Sequence, residues 1–181
     1  MTRPFIIGVG GGHSDSGKTT LACAILRNFK GWGALKCGSD ALYASVVDDA
    51  ETLSEPGTDT AAFLEAGASA AVLVKAPKEE LPEAIELALA RLGSPPGVPG
   101  IVVEGNSAIE VLSPDIVIFS LDAFGEIKES SRVVFALADA LVCGDAMPDG
   151  AAGQRPVFGN DETEALIAFI KERLNERKDK R

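Results

Sequence analysis

The chain has 181 residues, 46% of them hydrophobic, and carries 17 Lys and Arg against 27 Asp and Glu, a formal net charge of −10. That length fits one domain spanning residues 1–181 with an ample core. The acidic balance, without a basic patch, argues against nucleic acid as a partner, and no apolar run is long enough to cross a bilayer. Met1-Thr-Arg-Pro4 leads straight into a strand-like run, so no signal peptide is expected. Cys23, Cys37 and Cys143 are odd in number, scattered and without C-x-x-C spacing. That usage suits a reducing cytoplasm and predicts no cysteine metal site.

Strand-like and helix-like segments alternate along the chain. The pattern predicts an α/β fold with three layers, α/β/α, around a mainly parallel sheet. Pro4-Phe-Ile-Ile-Gly-Val-Gly10 reads as a buried strand. A helix is predicted to open at Lys18, because Leu21, Ile25 and Phe29 recur at i, i+4 and i+8 beside Ala22 and Leu26. Ala34–Cys37 is a second strand, and 42–56 reads as a polar, irregular stretch closed by Pro56-Gly57. A short helix follows over 58–67, with Thr58 or Asp59 as cap and Gly67 at its exit. Further strands are predicted at 70–75, 101–103, 116–119 and 140–143, and an amphipathic helix at 79–92. Residues 93–100 read as a stiff Gly/Pro loop and 144–159 as a second one. A closing helix is predicted over 161–174, with a charged, fraying tail from Lys171 to Arg181.

Gly12-His-Ser-Asp-Ser-Gly17-Lys18-Thr19 matches G-x-x-x-x-G-K-[ST], the phosphate-binding loop. Each fixed residue has a physical task. The glycines let the backbone approach a phosphate without a Cβ in the way. Successive N–H groups along His13, Ser14, Asp15 and Ser16 form an anion nest, completed by Gly17, Lys18, Thr19 and Thr20 at the helix N-terminus. Lys18 places a mobile positive charge on the outer phosphates, a catalytic role, and the Thr19 hydroxyl suits Mg2+. His13, the only histidine, occupies a variable position where the backbone does the binding. Asp15 is a candidate turn cap.

Glu104 ends a buried strand and precedes Gly105. Ligands of open parallel sheets bind beyond the carboxyl ends of the strands, so Glu104 and the loop should share a rim. An acid there can hold Mg2+ or polarise an attacking water. Asp40, after the second strand, is a further candidate metal-linked acid. Asp59 is either a helix cap or a metal-linked acid. Arg155, in the late loop, is a candidate arginine finger.

Four stretches together resemble the molybdopterin-guanine dinucleotide biosynthesis protein B family, phosphate-loop proteins related to dethiobiotin synthetase. They are Gly12–Leu21, Lys36 at the end of the second strand, Gly57-Thr-Asp-Thr-Ala-Ala-Phe-Leu-Glu-Ala-Gly-Ala68, and Val102-Val-Glu-Gly105. The resemblance implies a GTP-binding, weakly hydrolysing, dimeric protein of molybdenum-cofactor maturation. It would act beside a molybdopterin guanylyltransferase or a molybdoenzyme assembly protein. By position, Asp59 and Glu104 match that family's two acids. The chain departs from the family after Lys36, where Cys37-Gly-Ser-Asp40 stands in place of a histidine-rich run. No Asn-Lys-x-Asp guanine-reading motif occurs, so ATP stays open beside GTP. The residues alone also allow an ATP-dependent small-molecule ligase or kinase.

Overall fold

A computed structural model describes residues 3–38, 40–93, 97–122, 125–144 and 153–179. Parts of both expected Gly/Pro loops, residues 94–96 and 145–152, and the last two residues of the tail lie outside the described residues.

The strands are β1 (Phe5–Gly11), β2 (Gly33–Gly38), β3 (Ser45–Val47), β4 (Ala70–Lys75), β5 (Gly100–Glu104), β6 (Ile116–Ser120), β7 (Ala140–Cys143) and β8 (Val157–Gly159). The helices are α1 (Lys18–Asn28), α2 (Ala50–Leu53), α3 (Asp59–Glu65), α4 (Leu81–Leu92), α5 (Asn106–Leu112), α6 (Arg132–Leu137) and α7 (Thr163–Lys178). The strands form one sheet in the order β3-β4-β2-β5-β1-β6-β7-β8. Every pairing is parallel except β3 on β4. The predicted three-layer α/β architecture is therefore present.

The apolar strand runs explain the layers. A parallel sheet covered on both faces needs nearly continuous hydrophobic strands, because alternate side chains enter opposite cores. In β1, Ile7 and Val9 pack with Leu21, Ile25, Phe63 and Ile167, on the side of α1, α3 and α7. Their neighbour Ile6 packs with Leu35, Leu81 and Ile85, on the side of α4. A third cluster, around Phe119, Val134 and Ile109, sits under α5 and α6. Each fully buried Ile or Leu contributes about 1.5–3 kcal/mol.

Several expectations need correction. The stretch 42–56 is not wholly irregular: it contains the antiparallel edge strand β3 and the single-turn α2. A three-residue strand followed by one turn of helix carries too little periodicity to read. The loop 144–159 ends in the edge strand β8, parallel to β7. The closing helix runs past its expected end at residue 174, because α7 continues to Lys178. Thr58, not Asp59, caps α3: its Oγ1 accepts a hydrogen bond of 3.2 Å from the Ala61 N–H. That leaves the Asp59 carboxylate free for another use.

The order of the sheet determines where ligands can sit. β1 lies between β5 and β6, and its loop leaves the same edge where β2 and β5 end. Lys36 and Glu104 are partners in the β2–β5 register, so two residues 68 positions apart in sequence lie side by side at that rim.

Candidate nucleotide site

The phosphate loop joins β1 to α1. Gly17 sits at φ +83°, a left-handed conformation that glycine adopts without strain, and it hands the chain into α1. Gly12 is in close contact: a Cβ there would lie 2.1 Å from the Glu126 carbonyl oxygen. The backbone around it is fastened from two directions. The Asn106 side chain accepts from the Gly11 N–H at 3.0 Å and donates to the Gly11 carbonyl at 2.9 Å. It also donates to Ser131 Oγ at 3.0 Å, and Ser131 Oγ in turn donates to the Gly12 carbonyl at 3.0 Å. The Lys128 N–H donates to the same carbonyl at 3.2 Å. At the far end of the loop, Ser120 Oγ donates to the Ser16 carbonyl. Ser16 is buried, and its own hydroxyl donates to the His13 carbonyl at 3.0 Å.

Lys18 turns back over the loop. Its ammonium donates to the carbonyls of His13 and Ser14, the latter at 3.0 Å. Burial pushes its pKa down, against the pull of Glu104. The loop thus holds a cation where an arriving anion would favour its charged form. His13 does not face that position. Its Nδ1 accepts from the Asp15 N–H and its Nε2 is 2.9 Å from Asp122 Oδ2, so it ties the loop to the segment after β6. Ser14, Asp15 and Thr20 are exposed.

Beside the loop, four side chains close a ring. Thr19 Oγ1 lies 3.0 Å from both Asp59 Oδ1 and Glu104 Oε2. Lys36 Nζ lies 2.6 Å from Asp59 Oδ2 and 2.5 Å from Glu104 Oε1. Glu104 is buried at 1% exposure, so this strand-end acid does not face solvent. Burial would lower the Lys36 pKa, but the Glu104 charge and the hydrogen bonds to Asp59 and Glu104 outweigh it, and the net shift is upward. For Asp59, burial pushes up and Lys36 pulls down, and the net shift is downward. Both ions are therefore held charged. Gly105, at φ +137°, passes so close to β2 that a Cβ would lie 2.6 Å from the Cys37 carbonyl oxygen, which keeps β2 and β5 tight at the ring.

Ring and loop share an open cleft of about 720 Å³, whose lining also includes Asp40, Ser107, Glu110, Lys128 and Ser130. Asp40 lines the cleft, and the hydrogen bonds and ion pairs that close the ring do not include it. Cys37 also lines it. Burial lifts its thiol to about 11, so it stays protonated at neutral pH. Arg155 lies elsewhere: its Nη1 donates to the Phe135 carbonyl and its guanidinium sits 4.3 Å above the Phe135 ring. Behind the loop, a second hollow of about 290 Å³ is lined by Gly17, Thr20, Ala24, Ser120, Asn160 and Thr163.

No family model and no curated protein matches this sequence. Solved structures do. HypB from Helicobacter pylori, in complex with nickel, aligns over 97% of this chain and 89% of its own, with a TM-score of 0.64 and 15% identity. LpxK from Aquifex aeolicus, in complex with ATP, aligns over 87% of this chain and 54% of its own, with a TM-score of 0.53 and 14% identity. The chain has the phosphate-loop NTPase fold. At these identities the likeness concerns the fold, and the chemistry has to be argued from the residues present. Among the described residues, no group of three or more His, Cys, Asp or Glu is placed to hold a metal alone, and no helix is long and apolar enough to cross a membrane.

Gly12–Thr20, Glu104 and Asp59, expected from the sequence, come together at this site. Lys36 was expected only from the resemblance, and Asn106, Lys128 and Ser131 were not expected. The signal for Lys36 was present: a lone Lys at the end of an otherwise apolar strand needs a partner there. Asn106 and Ser131 belong to short helices with no strong periodicity.

Proposed function

We propose that this chain is a Mg2+-dependent nucleotide-binding protein with slow hydrolysis, taking GTP ahead of ATP, in an accessory role like that of the molybdopterin-guanine dinucleotide biosynthesis protein B family. The observation that carries it is the ring of Thr19, Lys36, Asp59 and Glu104 standing against a complete phosphate loop. The ring's donor set is oxygen only, two carboxylates and a hydroxyl. Mg2+ is characteristically held by one or two carboxylates with phosphate oxygens and water completing the shell. Lys36 already supplies a cation between the two carboxylates, which supports a site built for positive charge. The same donor set argues against nickel, for which imidazole is a better ligand.

Thr19, Glu104 and Asp59 would hold the metal. When bound, it neutralises charge on the phosphoryl oxygens of the nucleotide. Lys18 leaves the His13 and Ser14 carbonyls for the phosphates, and the loop N–H groups bind the oxygens along the chain. The hollow at Thr20, Ala24, Asn160 and Thr163 has room for the base. With Arg155 held on Phe135, the expected turnover is slow, as in this fold without an arginine finger. The preference for GTP, the molybdenum-cofactor context, the homodimer and the partner guanylyltransferase rest on the family resemblance.

A second reading, an ATP-dependent small-molecule ligase or kinase, is favoured by the cleft's extension past the loop to Asp40, Ser107 and Glu110. Phosphate release from GTP and from ATP by the purified protein separates the two. Slow, unassisted release from GTP supports the accessory role. Release from ATP only when a small polar acceptor is added supports the ligase or kinase. Many turnovers per second without any addition contradict both.

A further inference from the structure

The cleft presents a charge problem. Its lining carries the acids Asp15, Asp40, Asp59, Glu104 and Glu110. A nucleoside triphosphate is itself a polyanion. Against it stand Lys18 in the loop and Lys36, whose charge is already shared by Asp59 and Glu104. A third lysine, Lys128, lines the same cleft. Among the described residues its ammonium has no hydrogen bond or ion pair.

An exposed lysine is usually only solvated, and the backbone around Lys128 separates it from that ordinary case. The Lys128 N–H donates to the Gly12 carbonyl at 3.2 Å. Ser131 Oγ, three residues on, donates to that same carbonyl at 3.0 Å. The Glu126 carbonyl lies where a Cβ on Gly12 would go. Asp122 accepts from the Glu126 N–H at 3.2 Å and pairs with His13 inside the loop. The segment 125–131 is thus fastened to the opening of the phosphate loop, and the Lys128 Cα is held at a fixed distance from it. Lys18, whose ammonium rests on the His13 and Ser14 carbonyls, lies on this same opening side. The side chain of Lys128 is free while its root is fixed, an arrangement suited to meeting a charge that arrives with a ligand.

We propose that Lys128 is a second cation supplied from the same chain to the terminal phosphate of a bound nucleoside triphosphate, standing opposite the Thr19–Lys36–Asp59–Glu104 ring. This rests on the nucleotide-binding reading above. The group it would recognise is the γ-phosphoryl group, present in a triphosphate and missing from the diphosphate. Lys128 therefore acts as a specificity residue for the nucleotide's state of hydrolysis.

The test compares affinities of wild type, Lys128→Ala and Lys128→Arg for non-hydrolysable triphosphates and for diphosphates of guanosine and adenosine, with Mg2+. Lys128→Ala is expected to weaken triphosphate binding about tenfold, the effect of one charge-assisted hydrogen bond, and to leave diphosphate binding unchanged. Lys128→Arg should keep most of the discrimination. An unchanged thermal midpoint confirms that the variant is folded. Equal losses for both nucleotides would mean a general electrostatic effect and overturn the proposal, as would no loss for either. If wild type itself binds no nucleotide, the reading beneath the proposal fails with it, an outcome distinct from a normal wild type with a silent variant.

Discussion

The two walls of the cleft hold the same loop by different physics. On one side, Thr19, Lys36, Asp59 and Glu104 form a ring dominated by formal charge, with the buried Glu104 at its centre. On the other, Asn106 and Ser131 hold Gly11 and Gly12 through neutral hydrogen bonds alone. A charged wall responds to ions, salt and pH. Neutral hydrogen bonds of this kind fix geometry and are indifferent to all three. The site thus combines a hydrogen-bonded backbone cradle with a tunable electrostatic face, and each can be perturbed separately.

The largest effect is expected at Glu104. Replacing it with Ala leaves Lys36 paired with the half-exposed Asp59 alone, and should cost about 3 kcal/mol of unfolding free energy, as removal of one buried ion partner does. Glu104→Gln should cost less and still abolish any Mg2+ dependence of nucleotide binding. Urea unfolding measures the first and titration with and without Mg2+ the second. A loss of under about 1 kcal/mol in Glu104→Ala would mean the ring is not a coupled charge cluster.

Asn106→Ala should come next. It orphans the Gly11 N–H and carbonyl, at a cost of about 1–3 kcal/mol. Nucleotide affinity should fall with the loosened loop, and by the same factor at low and high salt. A salt-dependent loss would erase the distinction between the walls.

These two walls were unequally legible in sequence. The loop glycines, Lys18 and Thr19 form a contiguous motif whose chemistry dictates its spacing, and Glu104 ends a recognisable buried strand. Asn106 could not be read in the same way. It follows Gly105 at the start of a seven-residue helix, and its function depends on Gly11, 95 positions away. Lys36 was visible as a polar strand end, but its partner follows from strand order, which hydrophobic patterning does not specify. The buried strands and long helices were read correctly because periodicity is strong there. The edge strands β3 and β8 were missed because three residues pairing on one side carry little pattern.

The smallest effect is in pH. The Lys36 pKa is raised above its ordinary 10.5, so its contribution to stability is complete below that value and lost as pH rises through the raised one. The Asp59 pKa is lowered below 3.8, so its contribution is complete above that value and lost as pH falls through the lowered one. Stability from the ring should therefore be flat between these limits and fade outside them. Lys36→Met should remove the alkaline loss, which thermal unfolding across pH detects. An unchanged alkaline limb would show that Lys36 gains nothing from the ring.

The most direct measurement is calorimetric titration of the purified protein with GTP and ATP, with and without Mg2+, beside Lys18→Ala. Mg2+-dependent binding of at least one nucleotide is expected, falling about 100-fold in the variant, as loss of a cation hydrogen-bonded to phosphate would give. Binding that survives Lys18→Ala unchanged, or no binding of either nucleotide, would contradict the proposed function.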